Sequence, residues 1–221
     1  AAQTNVTLEK ISKSTSIQNK NGSAQFAIDR FSLTRGQIVI TQPQQKMTLT
    51  DLQLEAKQIN LKKKFFPLQF KTNFAMSTGQ NKIKANLTYN GRIRLAPSIL
   101  TQPFIALQNT GINGQLLTQN FRFNQFKISN LITSVVAKKG TITLNPLNMS
   151  LYSGKSIGDL NYHFATKKLS INQIATNLNA NQFVKNLFGK NLLKGKLDIS
   201  IHGSMSLQDD HWENNLAGNG N

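Results

Sequence analysis

The sequence predicts a mainly β protein: a long, curved antiparallel sheet, an open groove or partly closed, with one or two short helices near the C-terminal end. Three observations carry this prediction. Apolar and polar residues alternate over most of the chain, the period of a strand with one wet face. Gly, Asn, Pro or Lys punctuates the alternation at short intervals. One run of alternation is long: Ile83, Ala85, Leu87, Tyr89, Gly91, Ile93 and Leu95 share one face, opposed by Lys82, Lys84, Asn86, Thr88, Asn90, Arg92 and Arg94. A strand of that length extends about 45 Å, more than twice the usual ~17–20 Å, and suits a wide curved sheet rather than a compact sandwich.

The elements follow in order. Residues 24–33 carry Phe26 and Ile28, then Phe31 and Leu33 after a change of phase; Ile38 and Ile40 follow Gly36. Residues 46–61 change phase twice, from Met47 and Leu49 to Leu52, Leu54 and Ala56, then to Ile59 and Leu61. Such switches predict bulges. Leu68, Phe70, Thr72, Phe74 and Met76 alternate cleanly, and Gly79-Gln80-Asn81 joins them to the long run as a hairpin. Gly91 is expected to mark a bend.

Residues 96–109 hold Pro97 and Pro103 and read as a connection or edge segment. Strand signals resume at 114–118, 121–128, 131–136, 141–144, 147–152, 156–164, 169–178 and 193–201. Residues 182–188 place Phe183, Val184, Leu187 and Phe188 on one helical face, with Asn179 or Asn181 to cap the start and Gly189 the end. Residues 207–216 form the second helix candidate, Ser206 and Asp209 having capping-box spacing. Gly36–Ile40 and Gly140–Leu144, each followed by a proline, suggest a weakly repeated unit. The whole chain, residues 1–221, reads as a single β-groove piece of a larger protein, with a sub-division near 96–110 left open.

Composition narrows the function. With 26 Lys+Arg against 9 Asp+Glu the net charge is +17, which favours anionic partners such as phospholipid headgroups, lipopolysaccharide or nucleic acid. The competing reading is a solvated lysine face. The absence of cysteine excludes disulfides, thiolate metal sites and a cysteine nucleophile. No stretch reaches the ~18 apolar residues of a spanning helix. The three histidines, His163, His202 and His211, lie far apart without ligand-like neighbours, and the acidic group Asp209, Asp210 and Glu213 suits a first helical turn. Phosphate-binding glycine loops and nucleophile elbows are absent, so the expectation is a non-enzyme without cofactors. Lys62-Lys63-Lys64-Phe65-Phe66-Pro67 offers cations and aromatics to an anionic membrane surface, or else forms a charged turn whose aromatics begin the next buried face. Phe70, Phe74, Phe121, Phe123 and Phe164 fall on the oily face, opposite the cations, which argues against base-stacking platforms and against nucleic acid as partner.

Three blocks resemble the AsmA family of Gram-negative envelope proteins. The first is FSLTRGQIVI at 31–40 with MTLTDLQL at 47–54 and FPLQF at 66–70; it looks like the family's strand, glycine turn, strand and "DLxL" strand. The second is GTITLNPLNMSLYSGK at 140–155, similar to the family's "GxLxLxPLxxxLYGGK", with Ser153 in place of the first glycine of the pair. The third is LFGKNLLKGKLDISI at 187–201, which looks like the helix, "GKxxLxG", strand passage. The resemblance implies a periplasmic domain of a protein anchored in the inner membrane by a segment outside this chain. It also implies similarity to the repeating β-groove lipid-transfer proteins, including TamB-like and YhdP-like members, which carry phospholipid in an oily groove. No catalytic residues belong to the family.

The expected function is therefore non-enzymatic binding or transfer of phospholipid or another acyl-chain lipid, contributing to outer-membrane lipid homeostasis or assembly. The alternatives are an envelope scaffold that recruits protein partners through sheet edges and a nucleic-acid-binding β protein. The strip expected to line a lipid groove is Leu68, Phe70, Phe74, Met76, Ile83, Leu87, Tyr89, Ile93 and Leu95, extended by Met149, Leu151, Leu197, Ile199 and Ile201. Such a strip needs only continuity, because the hydrophobic effect is non-directional. The competing reading is a closed core in which these residues pack on one another or under residues 182–188.

Overall fold

A computed structural model of the chain describes residues 3–7, 10–14, 27–61, 63–100, 106, 108–190, 193–206 and 217–220. They form one mainly β architecture, a thirteen-stranded antiparallel sheet with its two edges unpaired to each other. The strands are β1 (Gln3–Thr7), β2 (Lys10–Ser14), β3 (Ala27–Gln42), β4 (Gln45–Asn60), β5 (Phe66–Thr78), β6 (Asn81–Arg94), β7 (Gly111–Phe123), β8 (Phe126–Lys138), β9 (Thr141–Leu151), β10 (Gly154–His163), β11 (Lys168–Asn179), β12 (Lys196–Ser206) and β13 (Ala217–Gly220). From β3 onward each strand pairs with its neighbour in the chain; β1 and β2 both pair with β3, one after the other along its free side.

The α-helix α1 (Ala180–Phe188) follows β11, and a single 3-10 turn (Pro97–Leu100) follows β6. Asn179 caps α1, its side-chain oxygen accepting from the backbone N–H of Gln182 at 3.0 Å, and Gly189 ends it in the left-handed region at φ 71°. The candidate helix at 207–216 lies outside the described residues, as do His211, Asp209, Asp210, Glu213 and Lys62.

The two phase switches in β4 have a physical cause. Asp51 and Gln58 adopt φ of 52° and 55°, which turns the following side chains to the other face. At Asp51 the pairing with β5 shifts register between Thr50 and Gln53. The long strand is present as β6, fourteen residues, and Gly79-Gln80 turns the chain from β5 into it.

Three expectations are corrected. Residues 121–128 are not one strand but the two arms of a hairpin, turned at Asn124-Gln125 with Asn124 at φ 53°. Segments 141–144 and 147–152 join as β9, which continues through Pro146 at a register irregularity with β8 between Thr133 and Val135. Gly36 and Gly140 are not equivalent: Gly140 forms a hairpin turn at φ 73°, whereas Gly36 lies inside β3.

Gly91 answers a need for room. A Cβ there would lie 2.5 Å from both the Gly114 Cα and the Tyr89 hydroxyl. Because β6 pairs with β7 directly, the sheet runs unbroken across the 95–110 connection, whose Ala106 is fully buried.

Candidate binding groove

Antiparallel register sets which side chains meet, and here it arranges the apolar residues into rows that cross many strands. One row reads Leu33, Leu54, Phe70, Tyr89, Leu116, Thr133 and Leu147, on seven successive strands. A second reads Phe31, Ala56, Leu68, Gly91, Gly114, Val135, Leu144, Leu160, Ile171 and Gly203, on ten. At the ~4.8 Å spacing of paired strands, ten strands extend about 43 Å. A third, Thr72, Leu87, Thr118, Leu131, Met149, Ser156, Ala175 and Ile199, joins the predicted residues of both halves of the chain.

The predicted residues therefore occupy one wall. Phe74 and Ala85 are partners, as are Met76 and Ile83, and Ile93 sits between Phe66 and Ile112. Leu151 faces Gly154 across the β9–β10 turn, Leu197 faces Leu178, and Ile201 faces Gln173. Leu95 falls just beyond β6, outside the rows.

Exposure separates two regimes. Leu68, Phe70, Phe74, Met76, Ile83, Leu87 and Ile93 are half-buried, while Tyr89, Phe66 and Ala56 are buried, Ala56 to 3%. At the C-terminal end the wall is covered. Ile128, Leu151, Tyr152 and Leu178 form a buried cluster on which Met149, Leu197, Ile199 and Phe183 of α1 pack. Tyr152 joins them through edge-on contacts with Phe126 and Phe183, both with ring centroids 5.6 Å apart. So Met149, Leu151, Leu197 and Ile199 belong to a core under α1, whereas Ile201 stays 49% exposed on the same face.

Several polar residues share the inner wall; Thr72 falls on the apolar side of its own alternation, whereas Thr118, Ser156 and Gln173 escaped sequence reasoning, because a polar residue in an alternating strand reads as outward-facing. Thr72 donates to the Thr50 carbonyl at 2.9 Å. The Ser156 hydroxyl donates to Gln173 Oε1 at 2.6 Å, and Gln173 Nε2 donates to the Leu147 carbonyl at 3.4 Å. Thr118, 2% exposed, has no hydrogen-bond partner for its hydroxyl. The Tyr89 hydroxyl donates to the Arg92 carbonyl at 3.2 Å. Burial pushes the Tyr89 phenol above its ordinary 10.0, against backbone hydrogen bonding at Asn113 and Arg92. Burial raises Tyr152 likewise, opposed by the Lys127 backbone and the Asn186 side chain, to which its hydroxyl makes no hydrogen bond of full geometry.

The opposite face is polar and basic from β4 to β7, while from β8 to β11 it also exposes Ile132, Val136, Ile157 and Ile174, at 43%, 42%, 57% and 49%. Asn86 donates to Asn73, and Asn73 to Asp51, across β6, β5 and β4. Lys84 neighbours Arg122, which neighbours Lys127 on β8. In the 62–67 run, Phe66 turns in to 3% exposure while Phe65 stays at the surface beneath the Arg94 guanidinium, 5.3 Å from the ring centre. His163 Nδ1 contacts Thr166, and His202 Nε2 contacts Ser200. Among the described residues no three His, Cys, Asp or Glu side chains converge as metal ligands, and no helix is long and apolar enough to cross a membrane. Comparison with known proteins adds no relative: no family model, curated protein or solved structure matches the chain.

Proposed function

We propose that the chain is a non-enzymatic, AsmA-like periplasmic domain that binds and transfers phospholipid or another acyl-chain lipid between envelope membranes, its parent protein being anchored in the inner membrane. One observation supports this above the others. Apolar rows run across as many as ten strands on one face of a sheet whose edges are not joined. Between β3 and β7 their members Phe31, Leu54, Leu68, Phe70, Leu87 and Leu116 keep partial exposure, while Leu33, Ala56 and Tyr89 are buried. An acyl chain laid along such rows loses water at every methylene, about 0.8 kcal/mol each, so a tail of about sixteen carbons contributes on the order of 10 kcal/mol at most. No directional chemistry is required. Across β4 to β6 the opposite face is polar, with its Asn73–Asp51 and Asn73–Asn86 hydrogen bonds, and keeps that part of the outside wetted.

The test is native mass spectrometry of the gently purified chain with a lipid extract of the same sample. Bound phospholipid is the expected result. A lipid-free chain carrying a defined protein partner makes it a scaffold instead, and steeply salt-dependent retention of oligonucleotide makes it a nucleic-acid binder.

A further inference from the structure

Helix α1 has a longer apolar stripe than the sheet beneath it can cover. Residues four apart share a helix face. Phe183 meets Tyr152 and Val184 is buried to 6%, but their successors one turn on, Leu187 and Phe188, are 46% and 66% exposed. Leu193, after the Gly189 stop, is 49% exposed. Lys185, Lys190, Lys194 and Lys196, all exposed, lie within a few residues of these three apolar groups along the chain. Residues 180–197 contain no Asp or Glu at all. Among the described residues none of the four lysines forms an ion pair; Lys196 reaches only the Asn177 carbonyl, at 3.4 Å.

We propose that this overhang is a membrane-docking tip: Leu187, Phe188 and Leu193 insert at the headgroup boundary of an anionic phospholipid bilayer, and Lys185, Lys190 and Lys194 hold its phosphates. Both halves of the pattern are needed to choose this occupant. Exposed apolar groups interspersed with uncompensated cations complement a surface that is oily below and negative above. Base stacking would use Phe188 but has no use for Leu187 and Leu193. α1 continues directly from β11 at the Leu178 end, where Tyr152 and Phe183 cover the inner wall. The tip thus stands at a lip of the proposed groove; its part in transfer rests on the lipid-transfer reading, while docking itself does not.

The experiment is sedimentation of the purified chain with vesicles of phosphatidylcholine mixed with phosphatidylglycerol, against phosphatidylcholine alone. The parent chain is expected to favour the anionic vesicles. Phe188→Asp is expected to weaken that binding about tenfold or more by removing an inserted ring. The pair Lys190→Glu and Lys194→Glu is expected to abolish the preference, each lost lysine alone accounting for roughly fivefold. Both sites are exposed, and an unchanged thermal midpoint shows that the fold is kept. Phe188→Trp in a Trp212→Phe background is expected to shift its emission to the blue on anionic vesicles. Parent-like binding by Phe188→Asp overturns the proposal, as does unshifted emission from the Phe188→Trp chain on vesicles that do bring it down. A Phe74→Asp chain that has lost its co-purifying lipid and still sediments with the vesicles upholds docking as independent of the groove, whereas a parent chain that sediments but carries no lipid upholds docking and sinks the groove.

Discussion

Tyr89 and Gly114 share one small volume on neighbouring strands: a Cβ on Gly114 would stand 2.7 Å from the Tyr89 hydroxyl oxygen. The same Cβ would stand 2.6 Å from the Asn90 carbonyl and 2.7 Å from the Gly91 Cα, so backbone as well as side chain closes the space. Gly114→Ala is therefore expected to destabilise the chain by about 1–3 kcal/mol, the usual cost of overpacking. Adding Tyr89→Phe is expected to return only part of that loss, because the backbone contacts remain. Urea midpoints of the two single variants and the double variant measure the coupling; full recovery in the double variant would refute the backbone share.

Lipid loading follows the inner wall. Leu87→Asp or Phe74→Asp places a carboxylate in an apolar row and is expected to remove most co-purifying lipid. Reversal of Lys82 and Lys84, on the polar face, is expected to remove less. Lipid phosphorus per mole of chain, measured with circular dichroism to confirm folding, ranks the variants. The opposite ranking would place recognition in headgroup electrostatics rather than in the wall.

Thr118→Val is expected to stabilise the protein by about 1 kcal/mol, since it replaces a buried, unpartnered hydroxyl with a methyl group of similar size. Thr133, 1% exposed, serves as the control: its hydroxyl donates to the Ser134 carbonyl at 3.1 Å, and Thr133→Val is expected to lose stability. Thermal melts of both variants decide between the two signs.

Stability is expected to fall at alkaline pH in a defined window. Burial raises the folded-state pKa of Tyr89 and Tyr152 above the 10.0 of a free phenol, so the folded chain holds these protons more tightly than the unfolded chain does. Their contribution is complete below pH ~10 and is lost as pH rises through the folded values. Tyr89→Phe removes one titrating group, and its midpoint is expected to decline less steeply above pH ~10 than that of the parent chain. Identical slopes would show that Tyr89 is not linked to the transition.

Much of the sheet was legible because its faces differ so strongly. Alternation in β5 and β6 located the strands, and the slips after Leu49 and Ala56 coincide with the left-handed Asp51 and Gln58. The Asn124-Gln125 turn was missed because Phe121, Phe123, Phe126 and Ile128 read as nearly continuous alternation. The only local signal was an asparagine, a residue that tolerates positive φ. Pro146 was taken as a break, yet it sits at a register irregularity, where a missing N–H costs no ladder bond. The rows could not be seen at all. They depend on register between strands, and register brings Leu87 into line with Met149 and Ile199 through Thr118 and Ser156, two residues with no apolar signature.

From β3 to β13 the order of strands in space repeats their order in the chain. Most of these pairings close a short span of backbone, the 95–110, 180–195 and 207–216 connections being the longer ones, so most joins carry little loop entropy. A lattice of this kind behaves like a row of dominoes, where coupling passes only between adjacent pieces. Partial unravelling from either border can leave the middle intact, and hydrogen exchange would then grade from the rims to the centre rather than switch on everywhere at once.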